Sequence, residues 1–134
     1  MFGNMFGDVQ ASTSLNLGEN MRIESTTTDD TTANALAIPV PEDQAVQVDA
    51  HITARLSDGS KRAMWHLSGL FYRNAGGSVA AEGEVLSLDT RISAGCGYTA
   101  VLYPDTVTNQ VQVRVTGTAE ETVYWLAQAS YFRK

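Results

Sequence analysis

The stretch AVQVDAHITARL (Ala45 to Leu56) alternates apolar and other residues without a break. Val46, Val48, Ala50, Ile52, Ala54 and Leu56 fall on one side of an extended chain, and Gln47, Asp49, His51, Thr53 and Arg55 on the other, because successive side chains of a β-strand point to opposite faces. Wound into a helix, the same residues would mix around the surface. The stretch is therefore predicted to be a strand with one buried face. Such a face needs a second layer to cover it.

The remaining chain repeats this pattern. Asp58-Gly59 is a hairpin turn signal, and KRAMWHLSGLFYRN returns from it. Ala63, Trp65, Leu67, Gly69 and Phe71 share one face of that return; Met64, His66, Ser68, Leu70 and Tyr72 share the other. MRIESTTT (Met21 to Thr28) is β-branched and reads as a first strand. ALAIPVP (Ala35 to Pro41) is apolar, but Pro39 and Pro41 lack backbone donors, which restricts it to an edge or an irregular strand. SVAAEGEVLSL reads as a strand with Gly83 as a bulge, DTRISAGCG as a loop, and YTAVLYP as a short strand stopped by Pro104. VQVRVTG (Val111 to Gly117) alternates strictly, and TVYWLAQASYF (Thr122 to Phe132) closes the domain.

About eight strands with almost no helical period predict an all-β fold: an antiparallel β-sandwich, jelly-roll-like or immunoglobulin-like, over residues 21–134. Residues 1–20 are expected to form an extended N-terminal arm. The expected inner layer is Val46, Val48, Ile52, Trp65, Leu67, Phe71, Val85, Val111, Val113, Val115, Val123 and Trp125. Burying each contributes roughly 1.5–3 kcal/mol, and 134 residues are enough for one core. The single Cys96 rules out an intrachain disulfide and reads as a small hydrophobe in a Gly-Cys-Gly turn.

A net charge of −6 and a pI near 4.7, with nine basic residues that never cluster beyond Lys61-Arg62 and Arg133-Lys134, argue against nucleic acid as a partner. No apolar run is long enough to span a membrane, so no membrane partner is expected. The N-terminus lacks the basic region of a secretory signal, which implies a protein made and used without signal-peptide export.

No constellation of residues points to catalysis. Asp29-Asp30, Glu42-Asp43, Glu82/Glu84 and Glu120-Glu121 fall in expected turns or on solvent faces, whereas acid–base pairs need a desolvated carboxyl. His51 and His66 fall on adjacent strands of the predicted hairpin, and Asp49 is two residues from His51 on the same face. Two His and one Asp make a thin zinc set, so a cross-strand polar pair is the expected role. Neither a phosphate-binding loop nor a nucleophile elbow is present. The expectation is a non-enzyme with no metal and no cofactor.

Two features point to contact with other surfaces. Met64, Leu70 and Tyr72, and likewise Tyr124, Leu126 and Phe132, lie on the faces opposite the core. If their strands are neighbours, they form an apolar patch of the kind that marks an interface. The opening MFGNMFGD is nearly a doubled word. Its Phe2, Met5 and Phe6, with Val9, read as anchors of a docking arm, since aromatic and Met side chains dominate interface cores.

The Thr-rich opening of ESTTTDDTTANALAIPVPEDQAVQVDAHITARLSDG, the return strand with GLFYRNAGG, and the ending VQVRVTG…ETVYWLAQASY resemble a β-sandwich module of tailed-bacteriophage structural proteins, over about residues 24–132. That resemblance implies a virion protein: either a module of tail fibres and tail spikes or a small protein on the capsid surface. With only about 20 residues ahead of the sandwich, it implies first a capsid decoration (cement) protein on the capsid surface, made in the host cytoplasm. Its partner would be the major capsid protein, and it would form a homo-oligomer, a trimer first with a dimer as the alternative. The alternative is a tail-fibre or tail-tip module binding a receptor or glycan, with Tyr72, Tyr98, Tyr103 and Tyr124 as aromatic platforms.

Overall fold

A computed structural model describes residues 18–134. It holds eight strands: β1 (Glu19–Thr27), β2 (Ala33–Pro39), β3 (Gln44–Leu56), β4 (Arg62–Arg73), β5 (Ala80–Ile92), β6 (Thr99–Asp105), β7 (Gln110–Thr116) and β8 (Val123–Arg133). Five form one sheet in the order β1-β8-β3-β4-β5, and three form a second in the order β2-β7-β6. Every neighbouring pair is antiparallel. This is the expected all-β sandwich. β3, β4 and β5 form a meander, and β8 returns to lie beside β3, which makes a Greek key. β8 lies between β1 and β3, and β7 lies beside β2.

The alternating stretch is the centre of the large sheet. β3 pairs with β4 from Gln44↔Arg73 to Arg55↔Arg62 and with β8 from Val46↔Arg133 to Leu56↔Val123. Its burial alternates along the strand as the sequence requires. The β3–β4 hairpin closes on Asp58, whose carboxylate accepts from the backbone N–H (2.8 Å) and hydroxyl (2.6 Å) of Ser60. The proline-containing β2 is an edge strand, as expected.

Several boundaries differ from the sequence reading, and the proline strand is shifted to Ala33–Pro39 from the expected Ala35–Pro41. β1 begins at Glu19, two residues ahead of Met21. β5 runs on to Ile92, so Asp89-Thr90-Arg91-Ile92 are strand rather than loop; pairing with β4 holds them extended despite their polarity. β6 continues through Pro104 to Asp105. It is the edge of the small sheet, where a missing N–H costs no ladder bond. The bulge expected at Gly83 is present: β5 slips register against β4 between Ser68 and Leu70, and Gly83 has φ +73°.

Eleven of the twelve expected inner residues are buried, and Val85 alone is only half-buried. The large sheet has two more strands than the small one, and at one side β5 overhangs β6. An open groove of 330 Å³ runs there, with Val85, Trp65, Leu67 and Leu102 among its walls. The core also takes in residues that lie outside the clearest alternation: Leu36, Ile38, Val40, Val79, Tyr98, Leu102 and Tyr131. Trp125 sits at its centre, stacked 5.9 Å from Trp65 and tilted 5.9 Å from Tyr98. Gly69 leaves room for this packing: a methyl group there would lie 2.8 Å from Phe71 Cε2.

Trp125 Nε1 donates to the hydroxyl of buried Thr27 at 2.9 Å, tying β8 to the edge strand β1. Thr27→Val keeps the shape but strands a buried N–H, which costs about 1–3 kcal/mol. The expected outcome is a lower urea midpoint with an unchanged denaturant slope; an unchanged midpoint would show that the bond contributes nothing.

Candidate functional site

The register orders the outer face of the large sheet into rows. From β8 across β3 to β4 they read Tyr124–Arg55–Arg62, Leu126–Thr53–Met64, Gln128–His51–His66, Ser130–Asp49–Ser68 and Phe132–Gln47–Leu70. The single apolar patch expected from neighbouring β4 and β8 is not formed. β3 lies between them and contributes Ala45, Gln47, Asp49, His51, Thr53 and Arg55 to this face, all but Ala45 polar. Greek-key return of β8 to β3 is the physical reason. The apolar residues flank a polar centre instead.

Leu70, Tyr124 and Phe132 are exposed, and Met64 and Tyr72 are half-buried. Phe132 leans on the chain's entry into β1: a methyl on Gly18 would lie 2.6 Å from Phe132 Cε1. Phe2, Met5, Phe6 and Val9 lie outside the described residues.

At the polar centre, His51 and His66 stack with ring centroids 4.0 Å apart and planes 20° from parallel. His66 Nε2 donates to Asp49 Oδ1 at 2.5 Å, and His51 Nε2 lies 3.8 Å from the same oxygen. One ligand atom from each of the three residues lies within 4.8 Å of the others. The expected cross-strand pair is thus present, with Asp49 drawn in diagonally. Asp89 faces His66 from β5 but is engaged by Arg91 at 3.2 Å. His51 also forms one wall of a shallow depression of 320 Å³, with Arg22, Gln128 and Ser130 on the others.

The acidic pairs divide. Asp29 accepts from Thr31 N–H at 2.9 Å, and Glu42 from Gly76 N–H at 2.8 Å, so both serve turns. Glu121 departs from the expected solvated loop. It accepts from Lys61 Nζ at 2.7 Å and from Tyr98 hydroxyl at 2.8 Å, at the end of the sandwich where the β3–β4 turn meets the β7–β8 connection. The hydrogen bonds from Lys61, then Tyr98, hold the Glu121 carboxyl below its usual 4.5. Burial, reinforced by Glu121, pushes the Tyr98 hydroxyl well above 10.0. Lys61 is held above its usual value by the same carboxylate. Sequence spacing carries no signal for this trio, since 60 residues separate Lys61 from Glu121.

Two of the expected tyrosine platforms, Tyr103 and Tyr124, are exposed, and each has a guanidinium near its ring, Arg55 lying 5.8 Å from the Tyr124 centroid. Tyr98 is buried, and Tyr72 is half-buried. The Arg114 guanidinium covers the Tyr103 ring at 3.6 Å. Tyr124 remains well presented, 48% exposed. The sequence reading also missed apolar residues that the edge strands leave exposed: Leu86, Leu88 and Ile92 of β5 and Val101 of β6. Leu88 is the extra residue where β5 slips register between His66 and Leu67.

No protein-family model matches the chain, and no curated protein matches it by sequence. Among solved structures, it is similar to the tailspike protein of Acinetobacter baumannii phage AM24 at 8% identity and a TM-score of 0.48, over 82% of this chain and 26% of that one. It is also similar to the tailspike protein of Acinetobacter phage vB_ApiP_P1, at 10% identity and a TM-score of 0.41, over 100% of this chain and 24% of that one. The chain thus spans about a quarter of either tailspike's length.

The Lys61–Glu121–Tyr98 trio makes stability depend on pH in a stated direction. A carboxyl lowered in the folded state stabilises above its unfolded value of 4.5 and loses that contribution as pH falls through its folded value. Glu121→Gln is therefore expected to be less stable than the wild type at neutral pH, with the gap in denaturant midpoint closing below about pH 4.5. On the alkaline side the sign reverses: raised Tyr98 stabilises below pH 10.0 and loses its contribution above it. Tyr98→Phe should flatten part of that alkaline loss. A constant gap between wild type and variant at all pH values would remove the trio from the pH dependence.

Proposed function

We propose, on the residues of this chain rather than on its likeness to the two tailspikes, that it is a phage virion module of the tail-fibre or tailspike kind. In this reading the chain engages a partner surface through the outer face of its five-stranded sheet. The observation that carries the reading is that face itself: five rows deep, uncovered by other described residues, polar at its centre and bordered by Tyr124, Leu126, Phe132 and Leu70. Aromatic and aliphatic side chains around hydrogen-bonding groups suit a receptor or glycan surface. The resemblance of residues 24–132 to phage structural modules supports the same class. Binding without bond cleavage fits Asp29 and Glu42, which hold turns, and Asp105 and Glu121, which pair with cations.

A homo-oligomer, with a trimer favoured, belongs to this reading. The exposed Leu86, Leu88 and Ile92 on the unpaired edge of the large sheet supply the surface for it. Leu86→Asp with Leu88→Asp, both outside the core, is expected to convert an oligomer into a folded monomer in light scattering. An oligomer that survives both charges would place the contact elsewhere.

The doubled Met-Phe-Gly of residues 1–8 favours a second reading, capsid decoration through contact with the major capsid protein. Copy number in purified particles separates the two. A tail module is present in a few copies and a cement protein in hundreds, so quantitative mass spectrometry against the major capsid protein decides. The tail reading expects a few copies; hundreds, with capsid heat resistance lost on deletion of residues 1–10, would replace it with the capsid reading.

A further inference from the structure

We infer that Asp49, His51 and His66 form a binding site for one borderline divalent transition ion, of which Zn²⁺ is the type. The site is independent of where in the virion the chain resides. Its ligands come from one hairpin. His51 and His66 are directly opposed on β3 and β4, and Asp49 lies two residues before His51 on the same face. The backbone that carries them sits in the middle of the large sheet, with β3 paired on both sides, so the three Cβ positions are fixed by the ladder. The side-chain torsions must then turn the two rings out of their stack so that a nitrogen of each points at the ion.

The distances fit that adjustment. An ion 2.0–2.2 Å from each nitrogen and oxygen sets tetrahedral ligand atoms about 3.3 Å apart. Asp49 Oδ1 lies 2.5 Å from His66 Nε2 and 3.8 Å from His51 Nε2, on either side of that spacing. The ion would take the place of the proton now shared between His66 and Asp49, and draw His51 inward. Its double charge would also compensate the Asp49 carboxylate, which among the described residues has no cation within ion-pair reach apart from these two rings.

Donor chemistry selects the ion. Two imidazoles and one carboxylate suit Zn²⁺ and its neighbours in the transition series, whereas Mg²⁺ and Ca²⁺ want oxygen ligands throughout. Three protein ligands leave at least one coordination position open. The side chains of Asp49 and His51 are half exposed, at 50% and 55%, so that position faces solvent. The depression beside His51, walled by Arg22 and Gln128, gives room for an outside ligand there.

The test uses the full, untagged chain stripped with EDTA and titrated with ZnCl₂, read by calorimetry and by competition with a chromophoric chelator. One equivalent per chain is expected, with His51→Ala and His66→Ala each weakening binding at least tenfold and Asp49→Asn weakening it severalfold. All three side chains face solvent or are partly exposed, and circular dichroism checks that each variant folds. Cys96→Ser should bind like the wild type, and MgCl₂ should give no heat. Zn²⁺ affinity unchanged in the folded His51→Ala/His66→Ala double variant overturns the site, as does the absence of any one-equivalent binding. Half an equivalent per chain would assign the ion to a contact between copies and overturn a site made by one hairpin.

Discussion

The register of β3 is the constraint on which this molecule depends. Its two ladders, to β4 and β8, join the centre of the large sheet, and the alternation along it decides what each face holds. A slip of one residue would turn Val46, Val48 and Ile52 to solvent and drive Asp49, His51 and Arg55 into the core. Burial of unpaired charge would then oppose folding by several kcal/mol per group. The same alternation that fills the core therefore presents the histidines and Asp49 together on the outside. Core and candidate site are two sides of one pattern.

Lateral order decides the character of the outer face. β4 and β8 each carry apolar residues away from the core, but β3 keeps them apart and inserts a polar strip. One broad hydrophobic patch would bring aggregation; two borders around a polar centre give a surface that meets a partner by both kinds of contact. The overhang of β5 beyond the small sheet has the opposite effect. It leaves Val85 half-covered and Leu86, Leu88 and Ile92 in solvent, on the edge where a strand's backbone is unpaired.

Features written in local period were legible. The core face of β3 and β4, the Asp58-Gly59 hairpin, the edge position of the proline strand and the Gly83 bulge all follow from single residues or short spacings. The pairing of His51 with His66 was legible for the same reason: a short hairpin turn sets its own register. Glu121 was not. It reads as one half of a solvated loop pair, and only closure of the sandwich brings Lys61 and Tyr98 to it. Tyr98 likewise reads as a surface ring until Trp125 is placed beside it.

What the sequence by itself determined is therefore the set of strands, their inward and outward faces, and the contacts made across one tight turn. These depend on the two-residue period of an extended chain and on turn chemistry, both of which are local. Tertiary structure alone decided that β8 returns beside β3 rather than β4, that the apolar outer residues border a polar strip, that β5 overhangs, and that a carboxylate near the chain's end is held by a lysine and a tyrosine far from it. Those outcomes depend on which strands close against which. That choice is made by the burial of the whole inner layer at once, and no short window of residues carries it.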